Sequence, residues 1–150
     1  MKISQLLTPS LIKVGLESTE KEEVFEEILQ LFVDNGLLRD RDAALAALLE
    51  REAKMTTSVA KWLAFPHGKI AEAKGLLMAA GISAKGIEYD SLDGEPVHVV
   101  IMVFAEIGNP GPHIQALAEL SRLFSIPKFT ARVRAAATSQ EVLALIREEE

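Results

Sequence analysis

Among the residues able to perform chemistry, His67 has the most informative setting. It follows the apolar segment 63–65 and Pro66, and Gly68 comes directly after it. The apolar segment predicts a buried strand that ends at Pro66, and Gly68 allows a sharp turn beside the imidazole. Such a turn can direct backbone N–H groups at an anion next to the ring. Because histidine is a nucleophile that titrates near neutral pH, His67 is suited to carrying a phosphoryl group. A histidine that caps a loop is the alternative.

The two other histidines differ in their surroundings. His113 follows a loop rich in glycine and proline, at the predicted start of a helix. A helix N-terminus disfavours positive charge, so a neutral His113 could orient a phosphate on His67, although a simple capping role is the alternative. His98 lies between two valines in the predicted strand 97–104, which indicates a strand histidine with a local hydrogen-bond partner. The spacing of the three histidines matches no metal-ligand motif, so no metal is expected.

Arg51 and two threonines are further candidates for binding an anion. Arg51 is predicted near the end of a helix, and its guanidinium matches phosphate geometry. An ion pair with Glu50 or Glu52 is the alternative for this side chain. Thr56 and Thr57 offer hydroxyls just before the strand that leads to His67, either as phosphate donors or as turn residues.

Apolar periodicity and capping signals predict alternating strands and helices around these residues. This pattern predicts an α/β fold, with a mixed β-sheet flanked by helices on both faces, in one domain spanning residues 1–150. The acidic end, residues 148–150, is expected to be a frayed and solvated tail. The predicted strands are 11–16, 63–65, 75–83 and 97–104; the predicted helices begin near Thr19 (with Glu22 as its capping partner), Asp40, His113, Pro127 and Thr138 (with Glu141).

Composition restricts the classes of function. The formal net charge is −6, which argues against a nucleic-acid partner because a polyphosphate requires a basic face. The chain has no cysteine, so disulfides and thiolate chemistry are excluded. Neither a signal peptide nor an apolar run long enough to cross a bilayer is recognisable, so a cytoplasmic location without membrane insertion is expected.

Together these residues resemble the enzyme IIA domains of the fructose/mannitol type from the bacterial phosphoenolpyruvate-dependent phosphotransferase system, which include the nitrogen-regulatory enzyme IIA. Trp62 departs from the pattern, since a glycine is common there, and Phe65 stands where an aliphatic residue is usual. His98 occupies a position that is often aspartate. The resemblance is carried by Glu52, Val59, Ala60, Leu63 and the run Ala64-Phe65-Pro66-His67-Gly68, and by segments 48–52, 92–97 and 113–118.

The resemblance implies the enzyme IIA (phosphotransferase/anion transport protein-like) fold and a phosphocarrier that needs no cofactor. His67 would accept a phosphoryl group from an HPr-type protein and pass it to an enzyme IIB or use it as a regulatory signal to a protein target. Arg51 would neutralise charge, His113 would orient the phosphate, and the amides around Gly68 with Thr56 or Thr57 would cradle it.

Two further expectations follow from the resemblance. Because the sequence shows no IIB or membrane segment, a free-standing module of the nitrogen-regulatory type is favoured over a sugar-specific one. An apolar patch around His67, to which Trp62 or Phe65 contributes, is expected to dock the partner. The alternative function is an interaction protein on the same fold, in which Trp62 and Phe65 have abolished phosphotransfer.

Overall fold

A six-stranded mixed sheet forms the centre of the molecule. The computed structural model describes all residues from 1 to 150. Neighbouring strands follow the order β1-β5-β6-β3-β2, and β4 pairs with β6 beyond the end of β3. The strands are β1 (Ile12–Val14), β2 (Ser58–Ala60), β3 (Leu63–Ala64), β4 (His67–Ile70), β5 (Leu76–Ile87) and β6 (Val97–Glu106).

Strands β3 and β4 lie on the same side of β6 and behave as one strand interrupted at Phe65 and Pro66. Both run parallel to β6. Pro66 has no N–H to give to the sheet, and the Phe65 N–H donates to the Thr57 carbonyl oxygen (3.0 Å) instead. The sequence correctly predicts a strand that ends before Pro66, but it does not predict β4. His67 is therefore the first residue of an edge strand rather than part of a loop.

Helices cover both faces of the sheet. Strands β5 and β6 are buried along most of their length, and two apolar clusters of 20 buried residues each lie on the opposite faces. The predicted α/β class, with helices on both faces, is confirmed. The first face holds α2 (Lys21–Asp34) and α3 (Arg41–Lys54); the second holds α1 (Ile3–Leu6), α4 (Gly111–Phe124), α5 (Phe129–Arg134) and α6 (Ser139–Glu149).

Two of the three predicted helix caps form. The Asp40 side chain accepts a hydrogen bond from the Ala43 N–H (3.0 Å), and the Thr138 hydroxyl oxygen accepts one from the Glu141 N–H (3.1 Å). The cap predicted at Thr19 is wrong, because α2 begins one residue later and its N-cap residue, Glu20, makes no side-chain capping bond. None of the helices has the length and apolar character that a membrane crossing requires.

The acidic C-terminus is ordered against the protein, which contradicts the expected frayed tail. Helix α6 continues to Glu149, and Arg132 pairs with Glu148 (2.9 Å) and with Glu149 (3.9 Å). The Glu150 carboxylate accepts a hydrogen bond from the Ser4 N–H (3.0 Å). These glutamates are held because their cationic and N–H partners come from distant parts of the chain.

Candidate active site

The His67 ring is held by a carbonyl oxygen of its own chain. Its Nδ1 lies 2.9 Å from the Phe65 carbonyl oxygen. Since a carbonyl oxygen can only accept, this contact assigns the proton of the neutral ring to Nδ1. The Nε2 atom then carries the lone pair. The half-buried ring therefore presents Nε2 as its nucleophilic atom.

His113 lies beside His67, with the two ring centroids 5.1 Å apart and the ring planes inclined by 60°. It is the third residue of α4, so the helix begins two residues earlier than expected. Burial, followed by the electrostatic interactions with His67 and Lys69, lowers the pKa of His113 below its usual value. Its Nε2 is buried and has no hydrogen-bond partner. His113 is thus a neutral group with one unused polar atom next to the His67 ring.

A cationic cleft of about 410 Å³ lies beside the two histidines. Arg51 and Lys54 reach it from the end of α3, and Lys69 reaches it from β4, whereas Glu50 is the one carboxylate that lines it. The cleft suits a dianion such as a phosphoryl group, because three cations outweigh one carboxylate. Ile107, 61% exposed, adds apolar area to its wall.

Arg51 is held by the backbone rather than by a carboxylate. Its Nη1 donates to the Met55 carbonyl oxygen at 2.8 Å, and it forms an ion pair with neither Glu50 nor Glu52. The ion pair that the sequence offered as the alternative role of Arg51 is therefore not formed. The rest of the guanidinium fork is free to meet an anion in the cleft.

The sharp turn predicted at Gly68 does not form, because Gly68 lies within β4. Its missing side chain instead allows α3 to approach β4 closely. A Cβ atom on Gly68 would lie 3.0 Å from the Ala47 Cβ and 3.2 Å from the Ala47 carbonyl carbon. Arg51 follows Ala47 by one helical turn and so shares its face of α3. The missing side chain at Gly68 thereby brings Arg51 towards His67.

Thr57 and Thr56 do not line the cleft. Thr57 is 2% exposed; its N–H and hydroxyl bind the Glu52 carboxylate, and the hydroxyl also contacts the Tyr89 hydroxyl at 2.6 Å. The Thr56 hydroxyl oxygen accepts a hydrogen bond from the Ser58 N–H (3.2 Å). The structure thus places the two predicted phosphate donors in local polar contacts outside the cleft.

The group around Thr57 forms a buried network. Lys21 pairs with Glu52 at 3.0 Å, so the network joins the start of α2 to the end of α3. Burial and the Glu52 carboxylate raise the pKa of Tyr89, which keeps its hydroxyl protonated. The network therefore fixes the segment that follows Arg51.

The remaining aromatic residues and His98 lie away from the cleft. His98 is buried, and its Nδ1 lies 2.7 Å from the Ser83 carbonyl oxygen, which agrees with the predicted local partner. Phe65 is 5% exposed and packs edge-on against Phe124. Trp62 stands against His98 instead of His67. The expectation that Trp62 or Phe65 supplies apolar area around His67 is wrong, because Phe65 is buried in the core and Ile107 occupies that position.

The structure explains why glycine would suit the Trp62 position. Trp62 has a φ of +69°, in the left-handed region that glycine adopts without strain. It lies in the turn between β2 and β3, where the chain reverses direction. Trp62 therefore affects this turn and does not contact the His67 ring.

Sequence reasoning missed Lys54, Lys69 and Ile107. One of these had a recognisable signal, because Lys54 follows Arg51 at helical i, i+3 spacing. Lys69 reaches the cleft from β4, a strand that the sequence does not predict. No group of three or more histidine, aspartate or glutamate side chains is arranged to hold a metal ion.

The chain matches a protein family, and solved structures of the same fold, that carry phosphotransferase names. The family described as "Phosphoenolpyruvate-dependent sugar phosphotransferase system, EIIA 2" matches residues 5–149. The chain belongs to this family, as its resemblance implied. Members of the family are phosphoryl-transfer components.

Individual relatives include sugar-specific and regulatory proteins. The chain is 36% identical over 146 residues to the fructose-specific EIIABC component of Bacillus subtilis. The aligned part is 97% of this chain but only 23% of that protein. The chain is 38% identical over 120 residues to the fructose-specific EIIA component of Haloferax volcanii, covering 80% of this chain and 78% of that one. The crystal structure of nitrogen regulatory protein IIA-Ntr from Neisseria meningitidis has a TM-score of 0.87 at 25% identity, over 96% of this chain and 98% of that one.

Proposed function

We propose that this chain is a phosphohistidine carrier in which His67 accepts a phosphoryl group from an HPr-type protein. The proposal is based on the position of the His67 and His113 rings side by side at the cleft. His67 presents an unprotonated Nε2, and His113 places a buried Nε2 without a partner beside it. With the proton of the neutral ring on Nε2, His113 would donate to a phosphoryl oxygen, which supplies the partner that this buried atom lacks.

The transfer exchanges one P–N bond for another. The lone pair of His67 Nε2 attacks phosphorus, and the electron pair of the breaking P–N bond returns to the donor's imidazole. The His67 ring gains positive charge as the new bond forms, and the Phe65 carbonyl oxygen stabilises it through Nδ1–H. No further proton acceptor is needed in this step, so positioning and charge neutralisation provide the catalysis.

Three cations neutralise the moving charge. Arg51 is the only guanidinium in the cleft and is suited to binding two phosphoryl oxygens, while Lys54 and Lys69 act as point charges. Gly68 acts by letting α3 carry Arg51 close to His67. Thr56 and Thr57 are left out of phosphate binding, since neither residue lines the cleft.

Two downstream uses of the phosphoryl group each have a specific observation in their favour. A regulatory use, in which phosphorylation of His67 modulates a protein target, is supported by the likeness to the nitrogen regulatory structure over nearly its whole length. Transfer to an enzyme IIB is supported by the higher identity to the fructose-specific proteins.

The test is phosphorylation by phosphoenolpyruvate, enzyme I and HPr, followed by intact mass. The wild-type chain should gain the mass of one phosphoryl group, and His67→Ala should gain none. Lys85→Gln, on an exposed site away from the cleft, is the control and should label normally. No gain by wild type, or labelling that persists in His67→Ala, would overturn the proposal. Loss of the label to an added fructose-type IIB domain would select the transport use.

A further inference from the structure

A second surface lies at the turn between β2 and β3. It is a shallow groove of about 340 Å³ whose walls are residues 60–62 and parts of segment 124–131. Its walls include the side chains of Trp62, Ile126 and Pro127. We call this feature the Trp62 groove.

The Trp62 groove is separate from the phosphate cleft. The two share no lining residue. Trp62 precedes His67 by five residues, which is roughly 16 Å at the rise of a strand. Phe124 follows His113 by eleven residues along α4, which again corresponds to about 16 Å. A partner could occupy the groove without covering His67 Nε2.

Three cations without carboxylate partners surround the groove. The Arg134 guanidinium carbon lies 4.2 Å from the centroid of the Trp62 ring, and the Lys61 Nζ lies 4.7 Å from it. Lys128 lines the opposite wall. None of the three forms an ion pair, whereas Arg122 and Arg132 nearby in sequence do. This is a local excess of positive charge on a chain whose net charge is −6.

Backbone conformation adds an independent observation. Trp62 and Lys128 have φ values of +69° and +67°, which are unusual for residues other than glycine. Such unfavourable conformations occur preferentially at functional sites, where the surrounding structure holds them. Both strained residues face the same groove.

We propose that the Trp62 groove docks an acidic segment of a partner protein. An apolar side chain of the partner would lie on Trp62, Ile126 and Pro127, and flanking carboxylates would meet Lys61, Lys128 and Arg134. Charge complementarity favours an acidic partner. The apolar floor favours a polypeptide over a bare anion, because an anion leaves that floor exposed to water. Tryptophan and arginine are also the residues that most often dominate protein interfaces.

Trp62 is the single tryptophan of the chain, so its fluorescence reports occupancy of the groove directly. The probe is a short acetylated and amidated peptide in which glutamates flank a central Leu-Phe pair. The emission of Trp62 should change saturably with peptide, and the affinity should fall as salt is added. A peptide with glutamine in place of every glutamate should give little response.

Matched variants locate the binding. Lys61→Gln/Lys128→Gln should weaken peptide binding by about tenfold, the loss expected when two charged contacts are removed. Lys74→Gln/Lys85→Gln removes the same charge from exposed sites outside the groove and should leave the affinity unchanged. His67→Ala should bind the peptide normally, so the docking surface can stand even if the phosphocarrier proposal fails.

Four outcomes would overturn the docking proposal. These are no fluorescence response to the acidic peptide, an equal response to the glutamine peptide, an equal response to inorganic phosphate, and equal weakening by the two lysine pairs. Sedimentation of the free protein provides a further check. Concentration-dependent self-association abolished by Lys61→Gln/Lys128→Gln would assign the groove to a second copy of the chain and reject an acidic partner.

Discussion

His67 and Phe65, only two positions apart, form the contact that selects the reactive atom of the site. The Nδ1 of His67 donates to the Phe65 carbonyl oxygen at 2.9 Å, and Pro66 between them breaks the strand so that this carbonyl faces the ring. The contact is local, but the space around Nε2 is created by α3 and α4.

We expect the phosphoryl group to be bonded to Nε2 of His67. The Nδ1 is occupied by its hydrogen bond, and phosphorylation there would break that bond. Long-range ¹H–¹⁵N correlation spectra of the phosphorylated protein distinguish the two ring nitrogens. A phosphoryl group on Nδ1 would contradict this assignment of the tautomer.

Loss of Arg51 should slow phosphorylation more than loss of either lysine in the cleft. Removing a preorganised donor to a developing charge costs about a hundredfold in favourable cases, and a partly exposed site should lose at least tenfold. We expect Arg51→Gln to show this loss and Arg51→Lys to recover it in part, since the charge returns without the fork. Lys69→Gln should have a smaller effect. Quenched-flow mass spectrometry measures the rates, with Lys74→Gln as the control.

His113 should titrate below the usual histidine value of about 6.5. Burial is the largest cause and the electrostatic interaction with His67 the next, so His67→Asn should raise the pKa of His113 while leaving it below the usual value. NMR titration of the His113 ring measures its pKa in the wild-type protein and in the His67→Asn variant. An unchanged pKa in the variant would show that the two rings do not interact electrostatically.

The same shift makes stability depend on pH. The unfolded chain takes up the His113 proton at a higher pH than the folded protein, so it binds more protons between the two pKa values. Stability should therefore fall as the pH decreases below about 6.5. Denaturant titrations across this range should show a smaller fall for His113→Asn than for wild type. An equal fall would assign the pH dependence to other groups.

Thr57→Val should destabilise the protein without removing a phosphate ligand. It breaks the contacts of the hydroxyl with Glu52 and Tyr89, and unsatisfied buried groups of this kind cost about 1–3 kcal/mol. Thr56→Val is the matched control and should change the free energy of unfolding by less than about 0.5 kcal/mol. Urea unfolding measures both. If Thr57→Val left stability unchanged but abolished phosphorylation, a direct role in phosphate binding would be restored.

Several features could be predicted from sequence because their causes are local. The caps at Asp40 and Thr138 depend on residues three positions apart, and the break at Pro66 depends on its missing N–H. The long buried runs of β5 and β6 indicated a sheet covered on both faces. His67 is predicted as a phosphoryl carrier from the residues next to it in sequence, 63–68.

Other features were decided by tertiary structure. His67 and His113 are distant in sequence, and only the parallel pairing of β4 with β6 and the packing of α4 bring their rings together. The role of Thr57 cannot be assigned from sequence, because its partners Glu52 and Tyr89 come from α3 and from the segment after β5. The C-terminal glutamates depart from the predicted tail because Arg132 and Ser4 hold them. A short segment determines its own caps and turns, whereas the partner of a polar side chain depends on which distant segments the buried core forces into contact.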